Sequence, residues 1–555
     1  MELDGVFVGI DVGGTHTDGV AIAGGRITHK VKVPTRRDDL RGCTLEALGQ
    51  LFEGLATNTV RRVVLSTTLV TNAVVHGDLD PTGTLLCAGP GIDPMLFAPD
   101  ENTRLVPGAI DHRGGEITPL DESAVMRYAE EFRERGIRAL AVVGKFSVRN
   151  PTHEQRIAEL AKAGFDAVCL GHTLSGSLNF PRRIATAYLA AGVSSRHRAF
   201  TEAMASALAE FGVDAPLYLL RADGGTQLAT SFRNPAEAAL SGPAASIMGI
   251  QALDQVDLET LSLDVGGTTT DISLFTAASP LLEARGATIG AHRTQIRSLF
   301  TRSTGAGGDS TVRVEDDRLL VGPHRLGPPA CLGGIYPTPT DALVVLGRTL
   351  GAVEPAARAL EPVAQMLGVQ VEEAARQVLR KLAGHIAEQA RAFVAEVNSQ
   401  PVYTIHELLE GHRVAPVRAV AVGGPARAIA PYIEEALDLP VHVPNHFDVA
   451  NAVGAALARV NLEVNLIADT ARGFVSVPEA DVYHEVPRSF SLADAEAEAL
   501  AALARLAERK GLIDADATPE ITERESFRVI QGYTTAGSIH HLRAQIRPGI
   551  LGRAE

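Results

Sequence analysis

The sequence predicts an α/β fold built from two related lobes, and two observations carry this prediction. Apolar strands alternate with amphipathic helices, as where the helical pattern of residues 121–135 is followed by the apolar strand of residues 139–143. An eight-residue motif also occurs twice, as DVGGTHTD at residues 11–18 and as DVGGTTTD at residues 264–271, with seven of the eight positions identical. Each copy lies between two apolar strands, so the repeat predicts a duplicated domain in which each half presents one glycine hairpin.

The composition excludes some classes of partner. The chain has 555 residues, which is too long for one compact core and predicts two or three domains. Its net charge is −15, from 51 basic and 66 acidic residues, and an acidic surface argues against nucleic acid as the main partner. A bound nucleotide is compatible with this charge, because backbone N–H groups can recognise phosphate.

The cysteines and the apolar runs indicate a cellular location. Four cysteines, at positions 43, 87, 169 and 331, show no C-x-x-C spacing, so they predict neither a disulfide framework nor a zinc site and fit a reducing compartment. The first residues lack the basic region of a signal peptide, and no apolar run is long enough to span a bilayer. We therefore expect a soluble cytoplasmic protein with no membrane partner.

The pattern along the chain predicts three regions. Strands at about residues 6–11, 17–22 and 27–33 are separated by glycine turns, which predicts an antiparallel meander. A long helix is expected at about residues 184–211, and a helix followed by a pair of strands at about 492–546. The predicted domains are residues 1–183 with the first hairpin, residues 184–461 with the second hairpin, and residues 462–555 as a small α+β extension.

The glycine hairpins have the chemistry of a phosphate site. Paired glycines allow positive φ and leave no Cβ in the way, so that neighbouring N–H groups can surround phosphate oxygens. One such hairpin is as well explained by an ordinary tight turn, but two copies in matching strand contexts favour phosphate binding. The residues predicted to bind the nucleotide here are Gly13, Gly14, Thr15, Thr17, Gly266, Gly267, Thr268 and Thr269.

The aspartates of the repeat are the candidate catalytic residues. Carboxylates do not bind phosphate directly, whereas a hydrated Mg²⁺ prefers one or two of them. Asp11 and Asp264 open the two hairpins and are expected to flank one Mg²⁺ from opposite lobes. Asp18 and Asp271 close the hairpins, and Asp271 is the preferred candidate for orienting the attacking group.

Together these elements resemble the superfamily of actin, sugar kinases and seventy-kilodalton heat-shock chaperones, in which two ribonuclease-H-like lobes clamp ATP. The segment AVAVGGP at residues 419–425 resembles the strand and glycine pair that meet adenosine, which implies roles for Gly423 and Gly424; an ordinary helix start is the alternative. The small-residue helix expected at residues 450–458 resembles a further element of that fold.

Within that superfamily the chain resembles the hydantoinase/oxoprolinase family over about residues 5–458. The opening hairpin contributes to this resemblance, and the other motifs occur in the expected order. These motifs are LSTTLVTNAV at 65–74, RADGG at 221–225, SGPAA at 241–245, TGAGGDS at 304–310 and PTPTDA at 337–342.

The resemblance implies ATP- and Mg²⁺-dependent phosphorylation of a cyclic amide or imide, such as hydantoin, 5-oxoproline or a related lactam, so that water can open the ring. It also implies a separate hydrolytic subunit, because only about 95 residues follow the nucleotide core. Gly305, Gly307 and Gly308 are expected to close over the nucleotide or acceptor, with a flexible loop as the alternative. Thr68, Asn72 and Asp309 are expected to line the acceptor site, although turn chemistry explains the first two equally well.

Other readings stay open at this point. A small-molecule kinase or an ATP-using carboxylase subunit has the same fold, and so does an ATP-driven chaperone or reactivase, which predicts a peptide-binding sandwich after the core.

His16 stands where the family commonly has an aromatic residue, and a neutral histidine packed beside the hairpin is favoured. Helix capping is favoured for Asp341. The adjacent His540 and His541 would face opposite sides of a strand and make a poor metal pair. An oligomer is expected.

Overall fold

The computed structural model describes residues 4–36, 39–283, 285–399, 413–511 and 518–555. Within these residues no helix combines the length and the apolar character needed to cross a membrane. The elements of the first part of the chain are β1 (Val6–Val12), β2 (His16–Ala23), β3 (Arg26–Pro34), α1 (Leu40–Phe52), β4 (Val60–Thr67), α2 (Leu69–His76), β5 (Thr82–Cys87), β6 (Thr103–Leu105), β7 (Ala109–Ile110), β8 (Glu116–Thr118), α3 (Glu122–Glu134), β9 (Ala139–Gly144), α4 (Thr152–Ala161), β10 (Ala167–Leu170), α5 (Gly171–Leu174), α6 (Phe180–Glu210), β11 (Leu217–Leu220) and β12 (Thr226–Leu228).

A six-stranded sheet in the order β12-β11-β4-β1-β2-β3 forms the centre of this part. Strands β1, β2 and β3 are antiparallel neighbours, which confirms the predicted meander. Strand β4 pairs in parallel with β1, as expected for a strand that returns through the helix α1. The predicted long helix is confirmed as α6, and a second sheet, in the order β10-β9-β5-β6, lies against it.

The second part of the chain repeats this plan. Its elements are α7 (Ser241–Leu253), β13 (Thr260–Val265), β14 (Thr270–Thr276), β15 (Ser279–Pro280), β16 (Thr288–Ile289), β17 (His292–Arg293), β18 (Arg302–Thr304), β19 (Val312–Glu315), β20 (Arg318–Val321), α8 (Pro339–Val345), α9 (Val353–Leu367), α10 (Val371–Ser399), β21 (Arg418–Val422), α11 (Ala426–Leu437), β22 (Val441–His442) and α12 (Ala450–Leu457).

The repeated motif occupies the same place in both sheets. The hairpin β13–β14 is antiparallel, and β21 pairs in parallel with β13 just as β4 does with β1. Asp11 pairs with Asp18 across the first hairpin, and Asp264 pairs with Asp271 across the second. The sequence repeat is therefore a repeat of strand register as well as of residues.

Two helices of small residues join the halves. A Cβ built on Gly249 of α7 would lie 2.0 Å from the Ala450 carbonyl oxygen, and one built on Gly454 of α12 would lie 1.9 Å from the Ala245 carbonyl oxygen. Real Cβ atoms do not approach backbone so closely, so both positions require glycine. The helices α7 and α12 therefore cross with their backbones in contact, directly behind strand β1.

The C-terminal region is an α+β unit, as its sequence predicted. Its elements are β23 (Leu462–Asp469), β24 (Phe474–Val477), β25 (Val482–Glu485), α13 (Leu492–Arg509), β26 (Glu520–Gln531) and β27 (Thr534–Ile546). The five strands form one antiparallel sheet, in the order β25-β24-β23-β27-β26. Its buried residues, including Val464 and Leu503, belong to one continuous apolar core with Ile247 and Met248 of α7.

The predicted boundary between residues 183 and 184 stays a prediction. Strands β11 and β12 lie beyond this boundary in the chain, after the long helix α6, and yet they belong to the first sheet. The chain thus returns to the first sheet before it enters the second.

Candidate functional site

The two hairpins meet at a cleft between the halves. A Cβ built on Gly267 in the second hairpin would lie 3.5 Å from the Thr15 hydroxyl oxygen in the first. Below these tips, the side-chain amide nitrogen of Asn451 lies 3.3 Å from Oδ2 of Asp11 and 3.3 Å from Oδ2 of Asp264. One amide from α12 therefore contacts the carboxylates of both halves. Their predicted role in binding one Mg²⁺ stays a prediction.

The Asp11 carboxylate is buried in a way that its protein neighbours do not satisfy. Its Oδ1 atom is buried and has no hydrogen-bond partner among the residues that the structure describes. Burial raises the pKa of Asp11 to about 7; the carboxylates of Asp18 and Asp264 add to this effect, and the neighbouring polar side chains of Ser66 and Asn451 oppose it. Burial also raises the pKa of Asp264. A buried group of like charges with an orphaned oxygen has the electrostatics of a cation site.

This burial makes a prediction about stability. Because the pKa of Asp11 is raised from 3.8 to about 7, the folded protein prefers the protonated form. The folding free energy that this preference contributes is fully present below about pH 4 and is lost as the pH rises through 7. Asp11→Asn, which mimics the protonated form, is therefore expected to stabilise the ligand-free protein at pH 8 by up to about 4 kcal/mol. Urea unfolding in EDTA at pH 5 and pH 8 measures this.

The gain should be clearly larger at pH 8 than at pH 5. Asp448→Asn serves as the matched control, because Asp448 is a partly exposed aspartate that pairs with Lys30 near the same hairpin. A loss of stability in Asp11→Asn at both pH values would show that the buried carboxylate is already compensated in the ligand-free protein.

The two closing aspartates have different surroundings. The Lys32 ammonium lies 2.6 Å from Oδ1 of Asp18 and also donates to the Asp448 carbonyl oxygen. Burial raises the pKa of Asp18, and Lys32 opposes this rise. Burial raises the pKa of Asp271 to about 7, with Asp264 as the next cause. The ion pair with Lys32 favours the charged form of Asp18. The pKa of Asp271, about 7, suits proton transfer near neutral pH, so Asp271 is the better candidate for such a role.

The glycines of the two hairpins, and the pair that follows β21, differ in what surrounds them. The N–H groups of Gly13 and Gly266 donate to carbonyl oxygens within their own hairpins and close the turns. A Cβ on Gly14 or on Gly424 would meet no atom within 4 Å, so these two backbones border open space. Gly423 has φ +96°, and its Cβ would lie 2.7 Å from Oδ1 of Asp264, so only glycine fits there.

The side chains at the hairpin tips also differ from one another. Thr17 is fully buried and its hydroxyl shares a 3.0 Å hydrogen bond with Thr35, and its predicted contact with the nucleotide stays a prediction. Thr15 is partly exposed, as are Thr268 and Thr269 on the second hairpin. His16 is exposed rather than packed, and partial desolvation with help from Lys32 holds its pKa below the usual range.

The loop with Gly305, Gly307 and Gly308 is hydrogen-bonded to the second hairpin. It is largely buried, and it packs against the second hairpin. The N–H of Gly308 donates to the Gly266 carbonyl oxygen at 2.9 Å, and the N–H of Gly307 donates to the Ser310 hydroxyl at 2.9 Å. These two N–H groups therefore already have partners, and they fix the loop to the second hairpin. The expectation that the loop closes over the nucleotide or the acceptor stays a prediction.

Asp309, at the end of this loop, faces the hairpin tips. Its N–H donates to the Gly267 carbonyl oxygen at 2.6 Å, and its Oδ1 accepts from the Thr340 hydroxyl at 3.1 Å. Its Oδ2 lies 3.0 Å from a terminal nitrogen of Arg325. Burial raises the pKa of Asp309, and Arg325 opposes this rise. Its predicted contact with the acceptor stays a prediction.

Thr68 and Asn72 lie next to the first hairpin, at the end of β4. The Thr68 hydroxyl donates to the Val12 carbonyl oxygen at 3.3 Å, and the Asn72 amide donates to the Thr68 hydroxyl at 3.3 Å. The Ser241 hydroxyl, at the start of α7, donates to the Thr67 carbonyl oxygen at 3.0 Å. This network ties two of the sequence motifs together beside the cleft, and an acceptor role for Thr68 and Asn72 stays a prediction.

The structure also places Asp341 and the two adjacent histidines. Asp341 accepts from the backbone and hydroxyl of Thr338 in a capping box, which confirms its structural role. His540 is buried and bonds with Ser526, whereas His541 is partly exposed. Among the described residues, no group of three or more His, Cys, Asp or Glu side chains is placed to hold a metal ion.

Sequence reasoning missed two residues of this site, Asn451 and Arg325. Asn451 lies among alanines in the small-residue helix α12, where a lone amide was the only available signal. Arg325 lies in a loop without a motif, and its importance depends on contacts with residues 310 positions away.

Comparison with known proteins agrees with this geometry. The sequence matches the family description "Hydantoinase/oxoprolinase" over residues 183–464 and "Hydantoinase/oxoprolinase N-terminal region" over residues 7–165. Caprolactamase subunit alpha from Pseudomonas jessenii is 28% identical over 385 residues, which cover 61% of this chain and 54% of that protein. Acetophenone carboxylase gamma subunit from Aromatoleum aromaticum is 30% identical over 294 residues, which cover 48% of this chain and 40% of that protein. The chain thus spans about half the length of these curated relatives.

The crystal structure of the ATP-dependent caprolactamase from Pseudomonas jessenii has the same fold. It matches with a TM-score of 0.72 at 21% sequence identity, covering 97% of this chain and 87% of that chain. The predicted α/β fold with two related halves is confirmed. With its two family matches covering most of residues 7–464, the chain belongs to the hydantoinase/oxoprolinase family.

Proposed function

We propose that this chain is the ATP-using component of an amidohydrolase that activates a cyclic amide or imide, such as hydantoin, 5-oxoproline or a related lactam. The single observation that carries the proposal is the pair of equivalent carboxylates, Asp11 and Asp264, held together by Asn451 at the mouth of the two glycine hairpins. The similarity to a caprolactamase subunit supports the substrate class.

The residues present fit Mg²⁺ and ATP. The orphaned oxygen of Asp11 offers a ligand position, and Asp264 offers a second carboxylate from the other half. Because the described residues form no larger metal-binding cluster, a cation here would take its other ligands from phosphates and water, as Mg²⁺ prefers. When bound, Mg²⁺ supplies charge neutralisation for the phosphates. The open backbones at Gly14 and Gly424 leave room for the nucleotide.

The proposed reaction balances as a phosphoryl transfer. The amide carbonyl oxygen attacks the terminal phosphorus of ATP, the bond from that phosphorus to the ADP oxygen breaks, and the amide nitrogen loses its proton. The product is an O-phosphorylated imidate, whose carbon water can attack with release of phosphate. Asp271 is our candidate for orienting the acceptor and accepting the proton, since its pKa is about 7.

A partner subunit is part of the proposal. Both relatives are named as subunits, and the chain spans about half of their length. We therefore infer that a separate hydrolytic subunit completes ring opening, and that the chain works in an oligomer.

The four cysteines are free and buried, which supports a cytoplasmic location.

The second candidate function is an ATP-using carboxylase subunit, and the similarity to an acetophenone carboxylase subunit favours it specifically. A chaperone role has less support. The C-terminal region is one sheet and one helix that share a core with α7, rather than a peptide-binding sandwich.

Acceptor-stimulated phosphate release tests the proposed function. Hydantoin, 5-oxoproline and caprolactam are expected to stimulate Mg²⁺-dependent ATP hydrolysis, more strongly when the hydrolytic partner is present. Acetophenone with bicarbonate is the comparison acceptor. If acetophenone with bicarbonate stimulates ATP hydrolysis and the cyclic amides do not, the chain would be assigned to the carboxylases. Stimulation by a sugar or by unfolded peptide would point to the kinase or chaperone alternatives.

A further inference from the structure

Arg325 joins the two halves at the tips of the hairpins. One terminal guanidinium nitrogen donates to the Thr15 hydroxyl oxygen in the first hairpin at 3.1 Å. The other lies 3.0 Å from Oδ2 of Asp309 in the second half, and the Nε atom donates to the Gly327 carbonyl oxygen at 3.3 Å. A single side chain therefore contacts both sides of the cleft.

This guanidinium stands where phosphate oxygens are expected. Thr15 is at the tip of the first hairpin, and a Cβ on Gly267 at the tip of the second would lie 2.7 Å from Oδ2 of Asp309, the atom that Arg325 contacts. The Arg325 side chain is 20% exposed, so it borders the cleft and is not locked in the core. Asp309 keeps a second partner in Thr340, so it stays positioned when the arginine moves away.

We propose that Arg325 is a catalytic arginine that exchanges Asp309 for the terminal phosphoryl group of ATP. A guanidinium is permanently charged and presents paired donors that match phosphate oxygens. Its charge stabilises the equatorial oxygens as the phosphoryl group passes from ADP to the acceptor. The exchange also frees the Asp309 carboxylate from its ion pair with Arg325. This inference rests on the proposed function.

Arg325→Ala tests the proposal. Acceptor-dependent phosphate release is expected to fall about 10³-fold, the lower end of what an arginine in this role contributes. The Kd for ADP, measured by calorimetry, is expected to change only a few-fold, whereas the affinity for ADP with aluminium fluoride falls strongly. Methylguanidinium added to Arg325→Ala should restore part of the rate, and Arg325→Lys should lie between wild type and alanine because it keeps the charge without the fork.

Arg313→Ala is the matched control. Arg313 lies in the same region and also contacts a carboxylate and a carbonyl oxygen, those of Glu315 and Gly322, but it does not reach the first hairpin. It should keep wild-type rates and affinities. Near-normal turnover in Arg325→Ala, or an equal loss of affinity for ADP and for ADP with aluminium fluoride, would overturn the proposal and leave Arg325 as a structural link.

The two proposals fail in distinguishable ways. Failure of every cyclic amide to stimulate wild-type ATP hydrolysis overturns the proposed function. If another acceptor then stimulates wild type, and Arg325→Ala loses that stimulated rate with recovery in methylguanidinium, the role of Arg325 in phosphoryl transfer stands.

Discussion

Asp264→Asn is expected to lower acceptor-dependent phosphate release by about 10²-fold or more, because small misplacements of reacting groups already have effects of this size. The asparagine keeps the shape and the bond to Asn451 but removes the charge that the second half contributes to the proposed cation site. Asp11→Asn should have an effect of similar size, since the same amide contacts it. Initial-rate measurements over a range of Mg²⁺ concentrations provide the test.

The fold should survive both substitutions, since each removes a buried charge. Asp448→Asn is again the control and should keep its rate. Wild-type turnover in Asp264→Asn would show that the second hairpin is a structural turn, despite its matching register. A rate recovered at high Mg²⁺ would instead support weakened metal binding as the cause.

Gly454→Ala is expected to destabilise the protein by at least about 3 kcal/mol, the upper range for overpacked sites. The new Cβ would lie 1.9 Å from the Ala245 carbonyl oxygen and 2.4 Å from the Gly249 nitrogen. Backbone atoms cannot rotate out of the way as a flexible side chain can, so the helices α7 and α12 must separate. Thermal unfolding and the yield of soluble protein measure the effect.

Gly384→Ala is the matched control for this change. Gly384 also lies inside a helix, α10, but a Cβ there would meet no atom within 4 Å. Its replacement should stabilise the protein by up to about 1 kcal/mol through helix propensity. Equal stability of the two variants would mean that the two central helices tolerate a wider separation.

The parts of the fold set by local chemistry were predictable. Each hairpin is encoded by adjacent glycines between apolar strands, and the repeat of eight residues carried the register of Asp11 and Asp264 with it. The capping role of Asp341 was predictable for the same reason, because a helix cap involves residues only three positions apart.

The rest depended on contacts between distant segments. Local pattern could not show that β11 returns to the first sheet, since its pairing with β4 joins strands about 150 residues apart in the chain. The glycines of residues 305–308 did not show that this loop bonds to the carbonyl oxygens of Gly266 and Gly267 in the second hairpin. The bridges made by Asn451 and Arg325 are likewise invisible until the two halves are placed side by side.

The core shared by the C-terminal region and α7 has a consequence for how this chain can evolve. Val464 and Leu503 pack in the same cluster as Ile247 and Met248, so substitutions on one side must be matched by changes on the other. We therefore expect that the C-terminal region cannot be exchanged between relatives without changes in α7. In a recombinant chain that joins residues 1–461 to another protein's extension, the extension would pack poorly against Ile247 and Met248.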